Sequence, residues 1–206
     1  MFSVKYNYVD SMLAYVNEKY PEDRFQFVDI TGGGVTAGTK TIIVTSQKYP
    51  DKEFYVFYYR NEEGKHYSDN YLGVIYADDV RADLEKLLSF AGGNLKLFYD
   101  PNRFACPNDN GLISYKEYAA NKDACIGFSA VVQTDKTKDE IDEALQNALI
   151  NSEIICWGTV YFVESKEEFD LLDSTSFSSF LFKKKYYAAL RIDSDEAFSA
   201  LTARWE

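Results

Sequence analysis

Lys40-Thr-Ile-Ile-Val-Thr-Ser46, Tyr49-Pro-Asp-Lys52 and Glu53-Phe-Tyr-Val-Phe-Tyr-Tyr59 decide the fold class. The first run has a β-branched centre, the third is aromatic, and Pro50 with Asp51 breaks the chain between them. Runs of this kind bounded by turn residues read as strands. A link this short requires antiparallel pairing, because parallel strands need a crossover of a dozen residues or more.

Upstream, Arg24–Ile30 reads as a third strand, reached from the hairpin across Thr31-Gly-Gly-Gly34. Before it, Val9, Met12, Leu13, Val16 and Tyr20 recur at helical spacing over residues 7–20, and Pro21 stops that helix. Downstream, Asn61-Glu-Glu-Gly64 is a turn. One long helix is then expected from Ser68, with Leu72, Ile75, Val80, Leu84, Leu87 and Leu88 on its inner face, ending at Gly92-Gly93. Leu95–Tyr99 is a short strand. The first hundred residues therefore read helix, three antiparallel strands, helix, strand.

The second half opens with the irregular segment Asp100–Gly111. It continues with a short helix at 115–121, a strand at Cys125–Gln133, and a helix from the capping box Thr137-Lys-Asp-Glu140 to about Ile150. A buried strand spans Glu153–Val163, and Ser165-Lys-Glu-Glu168 caps a helix through Leu172. Lys184–Ile192 is a strand, and Asp193-Ser-Asp-Glu196 caps a last helix with Ala197, Phe198 and Leu201. Strands alternating with helices over short links permit some parallel pairing. The expectation is an α+β protein: an aromatic-rich antiparallel sheet packed on helices in residues 1–100, and a mixed strand and short-helix half in 101–206. The loop near residue 100 is a domain boundary or a loop inside one domain.

At 206 residues with 46% hydrophobic and 27% charged side chains, the chain can bury a core without disulfides or metals. Its aromatic content is 17%, dominated by 17 Tyr and 15 Phe, which suits half-buried sheet faces and interfaces. The net charge is −11, and acidic residues outnumber basic ones in both halves. That excludes duplex binding by phosphate neutralisation and attraction to an anionic membrane. Lys183-Lys-Lys185 beside an aromatic run reads as a guard against edge pairing. Cys106, Cys125 and Cys156 are too far apart for a zinc motif or a disulfide framework. With no leader-like opening and no apolar run of spanning length, a cytoplasmic protein is the expectation.

Four stretches come near a chemical motif. Cys106-Pro-Asn-Asp-Asn-Gly-Leu-Ile-Ser-Tyr-Lys-Glu117 places Asn108, Asn110, Gly111, Ile113, Ser114 and Glu117 at calcium-loop spacing. Cys106 replaces the opening carboxylate, however, and a thiol is too soft for calcium. Ser114-Tyr-Lys-Glu117 is a helix capping box instead. Gly33-Gly-Val-Thr-Ala-Gly38-Thr-Lys40 has its Lys one residue late for a phosphate loop and runs into a strand, so a Gly-rich hairpin is expected. His66 is the sole histidine and reads as solvent-facing at a turn after Gly64-Lys65; a general-base role would need a thiol, hydroxyl or acid beside it. The carboxylate pairs Asp78-Asp79 and Asp139–Glu143 lie on helices next to Arg81, Lys86, Lys136 and Lys138, as solvated faces do. No catalytic, cofactor-binding or metal-binding residue is assigned from the sequence.

Tyr15-Val-Asn-Glu-Lys-Tyr20, Phe25–Ile30, Thr31-Gly-Gly-Gly34 and, more loosely, Gly158-Thr-Val-Tyr-Phe-Val163 resemble small uncharacterised α+β proteins of Gram-positive, chiefly clostridial, bacteria. The resemblance implies a bacterial protein and carries no activity, ligand or site residue. The leading functional expectation is a non-enzymatic binding or protein-interaction protein. Tyr58, Tyr59, Tyr67, Tyr71 and Tyr76 cluster around one strand–helix connection and would supply its surface. The partner is another protein or a second copy of the chain. The alternative is a hydrolase or transferase with a site assembled around His66.

Overall fold

The first helix, α1 (Asn7–Lys19), buries Met12 and Val16, and Tyr20 just beyond it, against a four-stranded sheet. A computed structural model describes residues 7–31, 39–61, 64–101, 111–124, 126–183, 185–193 and 204–205. The chain divides into two compact units, residues 1–77 with 101–118 and residues 78–100 with 119–206. Each carries one sheet, so the fold is α+β, with an antiparallel sheet in the first unit and a mixed one in the second.

In the first unit, β1 (Phe25–Ile30), β2 (Thr39–Ser46), β3 (Glu53–Asn61) and β4 (Gly64–Asp69) form an antiparallel sheet in that order. The β2–β3 hairpin pairs Ile42 with Val56 and Val44 with Phe54, and all four are buried. Phe25, Phe54, Tyr20 and Tyr71 meet ring to ring behind this face. Apolar alternation with period two is what puts one set of these side chains inward. A bulge between Phe27 and Asp29 interrupts the edge strand β1 and leaves Phe27 and Val28 exposed.

The sheet has four strands in place of the expected three. Residues 64–69 pair with β3 as β4, and the single long helix expected from Ser68 begins later and in two pieces, α2 (Tyr71–Ile75) and α3 (Ala77–Leu88). Gly64, at φ 133, takes a backbone conformation that a side chain disfavours, and it closes the β3–β4 turn. The Asn70 side-chain oxygen accepts from the Tyr55 N–H and the Asp69 carboxylate from the Tyr71 N–H. These bonds hold the chain extended up to residue 70, where periodicity alone reads helix.

In the second unit, β5 (Asn94–Tyr99), β6 (Gly127–Gln133), β7 (Trp157–Val163), β8 (Ala188–Asp193) and β9 (Arg204–Trp205) pair in chain order. The β6–β7 pair is parallel, linked by α5 (Lys138–Ile150), and the other pairs are antiparallel. The expected parallel pairing is present. β5, read from sequence as the end of the first half, is instead an edge of this second sheet. β6 and β7 are apolar on both faces, as strands covered on both sides are. One face packs on α6 (Lys166–Asp170) and α7 (Phe177–Phe182) through Val131, Val163, Phe169, Leu172 and Phe180. α7 has no counterpart among the sequence expectations. Gly158 has no room for a side chain: a Cβ there would sit 2.5 Å from the Phe128 carbonyl oxygen on the parallel neighbour.

Asp193 closes β8, whereas the rest of its expected capping box and Ala197, Phe198 and Leu201 lie outside the described residues. The turn at Gly32–Gly34 and the cysteines Cys106 and Cys125 lie outside them as well. Among the described residues no helix is long and apolar enough to cross a membrane.

Candidate functional site

Among the described residues, the buried polar and charged ones, Asp23, Ser46, Ser68, Asp69 and Asn70, all lie in the first unit. The Lys19 ammonium donates to Asp69 Oδ2 at 2.7 Å, with both side chains at 5% exposure or less. The Tyr15 hydroxyl donates to the same oxygen, and the Tyr20 hydroxyl and the Tyr71 N–H donate to Oδ1. The ammonium also rests over the rings of Tyr15 and Tyr20. Next to this group, Asp23 Oδ2 accepts from the hydroxyls of Ser46, at 2.6 Å, and Tyr71, at 2.7 Å. Its Oδ1 accepts from the N–H groups of Arg24 and Lys48. Every hydroxyl here donates to a carboxylate, and Ser46 and Asp23, the one aliphatic hydroxyl and the acid it faces, are both buried, so the network holds its protons in place inside the core.

The electrostatics agree with that reading. Burial, with help from Asp69, pushes the Tyr20 phenol far above its ordinary range. Burial pushes Tyr71 up as well, and the bond to Asp23 adds to it. Burial also raises Asp23, but the bonds from Ser46, Tyr71, Arg24 and Lys48 outweigh it and hold the carboxyl below its usual value. The cavity beside Tyr20, Asp23, Lys48 and Tyr71 is about 20 Å3, room for a water and not for a substrate. The arrangement joins the end of α1 to the β4–α2 corner, which is a structural task.

The opposite face of the same sheet is a different surface. Cross-strand register puts Ile43 with Tyr55, Thr41 with Phe57, and Tyr59 with His66 on it. Tyr55 and Phe57 are half-buried with ring centroids 6.3 Å apart, and Tyr59 is 42% exposed. His66 lies in β4 with its ring stacked on Tyr59 at 4.8 Å and 12°. It is not on a turn, as a reading of its Gly64-Lys65 neighbours implies, but packs as a flat aromatic in an edge strand. Of the five tyrosines expected on one surface, only Tyr59 belongs to this face. Tyr58 and Tyr67 pair on the α1 side, where Tyr67 stacks on Tyr15. Tyr71 is in the core, and Tyr76 packs on Tyr115 and Tyr118.

The remaining motifs resolve into local structure where they are described. Ser114 and Glu117 form the expected capping box of α4 (Tyr115–Ala119), the Ser114 N–H and hydroxyl both donating to the Glu117 carboxylate. Gly111, at φ 69, lies against the Lys19 carbonyl, while Cys106, Asn108 and Asn110 lie outside the described residues. Thr39, Lys40 and Thr41 are in β2, so the Gly-rich segment enters a strand and not a helix. Asp78, Asp79, Asp139 and Glu143 are exposed on α3 and α5, and Cys156 is buried. Among the described residues no group of three or more His, Cys, Asp or Glu side chains could hold a metal ion.

The comparisons with known proteins add little to this geometry. A crystal structure of a DUF5037 family protein from Ruminococcus gnavus is similar to this chain at 14% identity, covering 95% of this chain and 89% of that one, with a TM-score of 0.39. No family model and no curated protein matches.

Sequence reasoning did not find the Lys19–Asp69 and Asp23–Ser46–Tyr71 contacts, which join residues 23 to 50 positions apart. The one available signal was chemical: Asp69-Asn70 directly precedes the apolar run Tyr71-Leu-Gly-Val-Ile75, where a polar pair must be solvated or bonded.

Proposed function

We propose that this is a non-enzymatic protein-interaction module whose contact surface is the outer face of the four-stranded sheet. The supporting observation is the aromatic row Tyr55, Phe57 and Tyr59 with the His66 stack, lying opposite the face that α1 and Tyr71 cover. Aromatic rings with a polar tip bury large area at low entropic cost and are enriched where proteins meet. Asp29, opposite Ile43, and Glu53, opposite Thr45, share this face and flank the row with negative charge. The partner this chemistry fits is a protein surface with an apolar centre and a basic rim, drawn to a chain of net charge −11. The deepest ionisable groups are spent on internal bonds, which favours binding over catalysis.

The test is chemical crosslinking of the wild-type chain to its partners in cells, repeated with Tyr59→Asp and with Phe57→Ser. The expected outcome is loss of the crosslinked species in both variants with unchanged melting of the isolated protein for Tyr59→Asp. Retention of every crosslink in both would remove the assignment.

A further inference from the structure

The two edges of the four-stranded sheet differ in what their backbone offers. At β1, the N–H groups of Phe25 and Ile30 are taken by side chains and not by β2: Asn17 Oδ1 accepts the first at 3.2 Å and Asp29 Oδ1 the second at 2.7 Å. The bulge between Phe27 and Asp29 breaks the row that separates them. Bulges and occupied edge groups are means by which a sheet refuses a further strand. That edge is closed.

β4 is open. The Asn70 N–H donates to the Tyr55 carbonyl at 3.2 Å. Bonded pairs alternate along an antiparallel ladder, so His66 and Ser68 turn their backbone groups toward Tyr59 and Phe57 on β3, and Lys65 and Tyr67 turn theirs outward. Among the described residues no strand pairs with that outer side. Lys65 is exposed and Tyr67 half-buried. The edge adjoins the aromatic face directly, because His66, whose ring lies on Tyr59, is part of β4. Its one charged guard is Lys65, which meets Arg60 across the ladder. Both are exposed and neither is ion-paired among the described residues. Glu62 and Glu63, between them in sequence, lie outside the described residues. Like charges directly opposite one another destabilise a strand pair, and a carboxylate set beside Lys65 relieves that.

We infer that β4 is a strand-addition site, at which an extended segment of the partner protein pairs antiparallel with Gly64–Asp69. This rests on the aromatic face being the contact surface and says how its partner is held. The backbone groups of Lys65 and Tyr67 bond the segment, an apolar side chain opposite His66 extends the aromatic face, and an acidic one opposite Lys65 meets the ammonium. An alternating row of backbone donors and acceptors fits an extended chain. A helix, whose backbone groups are bonded internally, cannot match it. Asp29 on β1 and Glu53 at the other end of β3 lie away from this edge, so the segment's acid does not face them.

The experiment titrates the full chain with a short synthetic peptide alternating threonine and valine, one threonine replaced by glutamate, and follows it by amide NMR. Saturation below about 1 mM is expected, with the Lys65 and Tyr67 amides shifting and those of Phe25 and Ile30 unmoved. With the glutamate opposite Lys65, the peptide's threonine and glutamate amides face β4 and its valine amides face away. N-methylation of the first set is expected to abolish saturation, and N-methylation of the second to leave affinity within about twofold. Lys65→Glu is expected to weaken binding about threefold and Tyr59→Asp about tenfold, with melting curves checking the fold of each. No saturation, equal effects of the two methylation patterns, or shifts centred on Phe25 to Ile30 would each overturn strand addition at β4. Dimerisation of the chain alone in light scattering, with the Lys65 and Tyr67 amides shifting as it dimerises, would overturn it in favour of a second copy. Binding blocked by the first methylation pattern but indifferent to Tyr59→Asp would support the strand site and remove the aromatic face from it. Crosslinks in cells lost in Tyr59→Asp, with both methylation patterns acting alike, would keep the face and remove the strand site.

Discussion

Lys19 and Asp69 have almost no contact with water, and neither charge is tolerable without the other. Removing one partner of such a pair leaves an uncompensated buried charge, whereas replacing both together is often nearly neutral. Lys19→Met is therefore expected to cost about 3 kcal/mol in urea unfolding, and Lys19→Met with Asp69→Asn much less than the sum of the single variants. Additive effects would show that the pair is not coupled. Asp23 is the buried carboxyl that contributes to the acid pH dependence, beside the exposed Glu117, Glu140 and Asp173, which local hydrogen bonds also hold below their usual values. Burial raises the Asp23 carboxyl, but the four hydrogen bonds it accepts outweigh that and bring it below the ordinary value. The unfolded chain, titrating near 4, then takes up this proton first. The stabilisation is present above that value and is lost as the pH falls through the lower, folded one. Asp23→Asn is expected to flatten this acid limb of urea midpoint against pH; an unchanged limb would assign it to other carboxyls. At this scale the sequence was legible where partners are neighbours in the chain. The capping boxes at Ser114 and Thr137 form as their spacing predicts, because a three-residue offset on a helix guarantees contact. The bonds of Asp23 and Asp69 join distant positions, and nothing local encodes them.

Among the elements, those with a strong period and clear punctuation were readable: α1, ended by Pro21, the β2–β3 hairpin, and the later part of the helix expected from Ser68, which is α3 followed by a 3-10 turn, Ser89–Ala91, that Gly92 closes. β4 was not, since Leu72 and Ile75 continue the spacing of α3 and only the buried bonds of Asp69 and Asn70 hold residues 64–69 extended. α7 is short and apolar on several sides, Phe-Ser-Ser-Phe-Leu-Phe, a pattern without a usable period. Two variants test how elements are held. Lys96→Met removes three charge-assisted bonds to the end of α6 and is expected to cost about 2 kcal/mol, with increased amide exchange confined to residues 166–182. Gly158→Ala places a methyl 2.5 Å from the Phe128 carbonyl on the parallel partner strand. It should destabilise by about 2 kcal/mol or more, and a neutral result would mean that β6 and β7 separate easily.

For the molecule as a whole, composition and turn chemistry led to an α+β chain with aromatic sheets, and both sheets are present. We propose two domains, with separate expression of residues 1–100 and 101–206 as the test of where they divide. Cooperative melting of both fragments would place the boundary near residue 100. Loss of it in either would favour the interleaved units, because β5 is then cut from its partner β6. Likewise, the tyrosines grouped by sequence around residues 58–76 scatter over a helix-facing side, a core and an outer face once the strands pair. Periodicity, caps and turns are interactions within a few residues, so the order of amino acids was enough to establish the hairpin, most helices and the acidic, aromatic-rich character of the chain. Which sheet β5 joins, which tyrosine reaches solvent and which carboxylates meet a lysine or a phenol depend on contacts between segments tens of residues apart. Those are chosen by the joint burial of apolar faces, a property that no single segment carries.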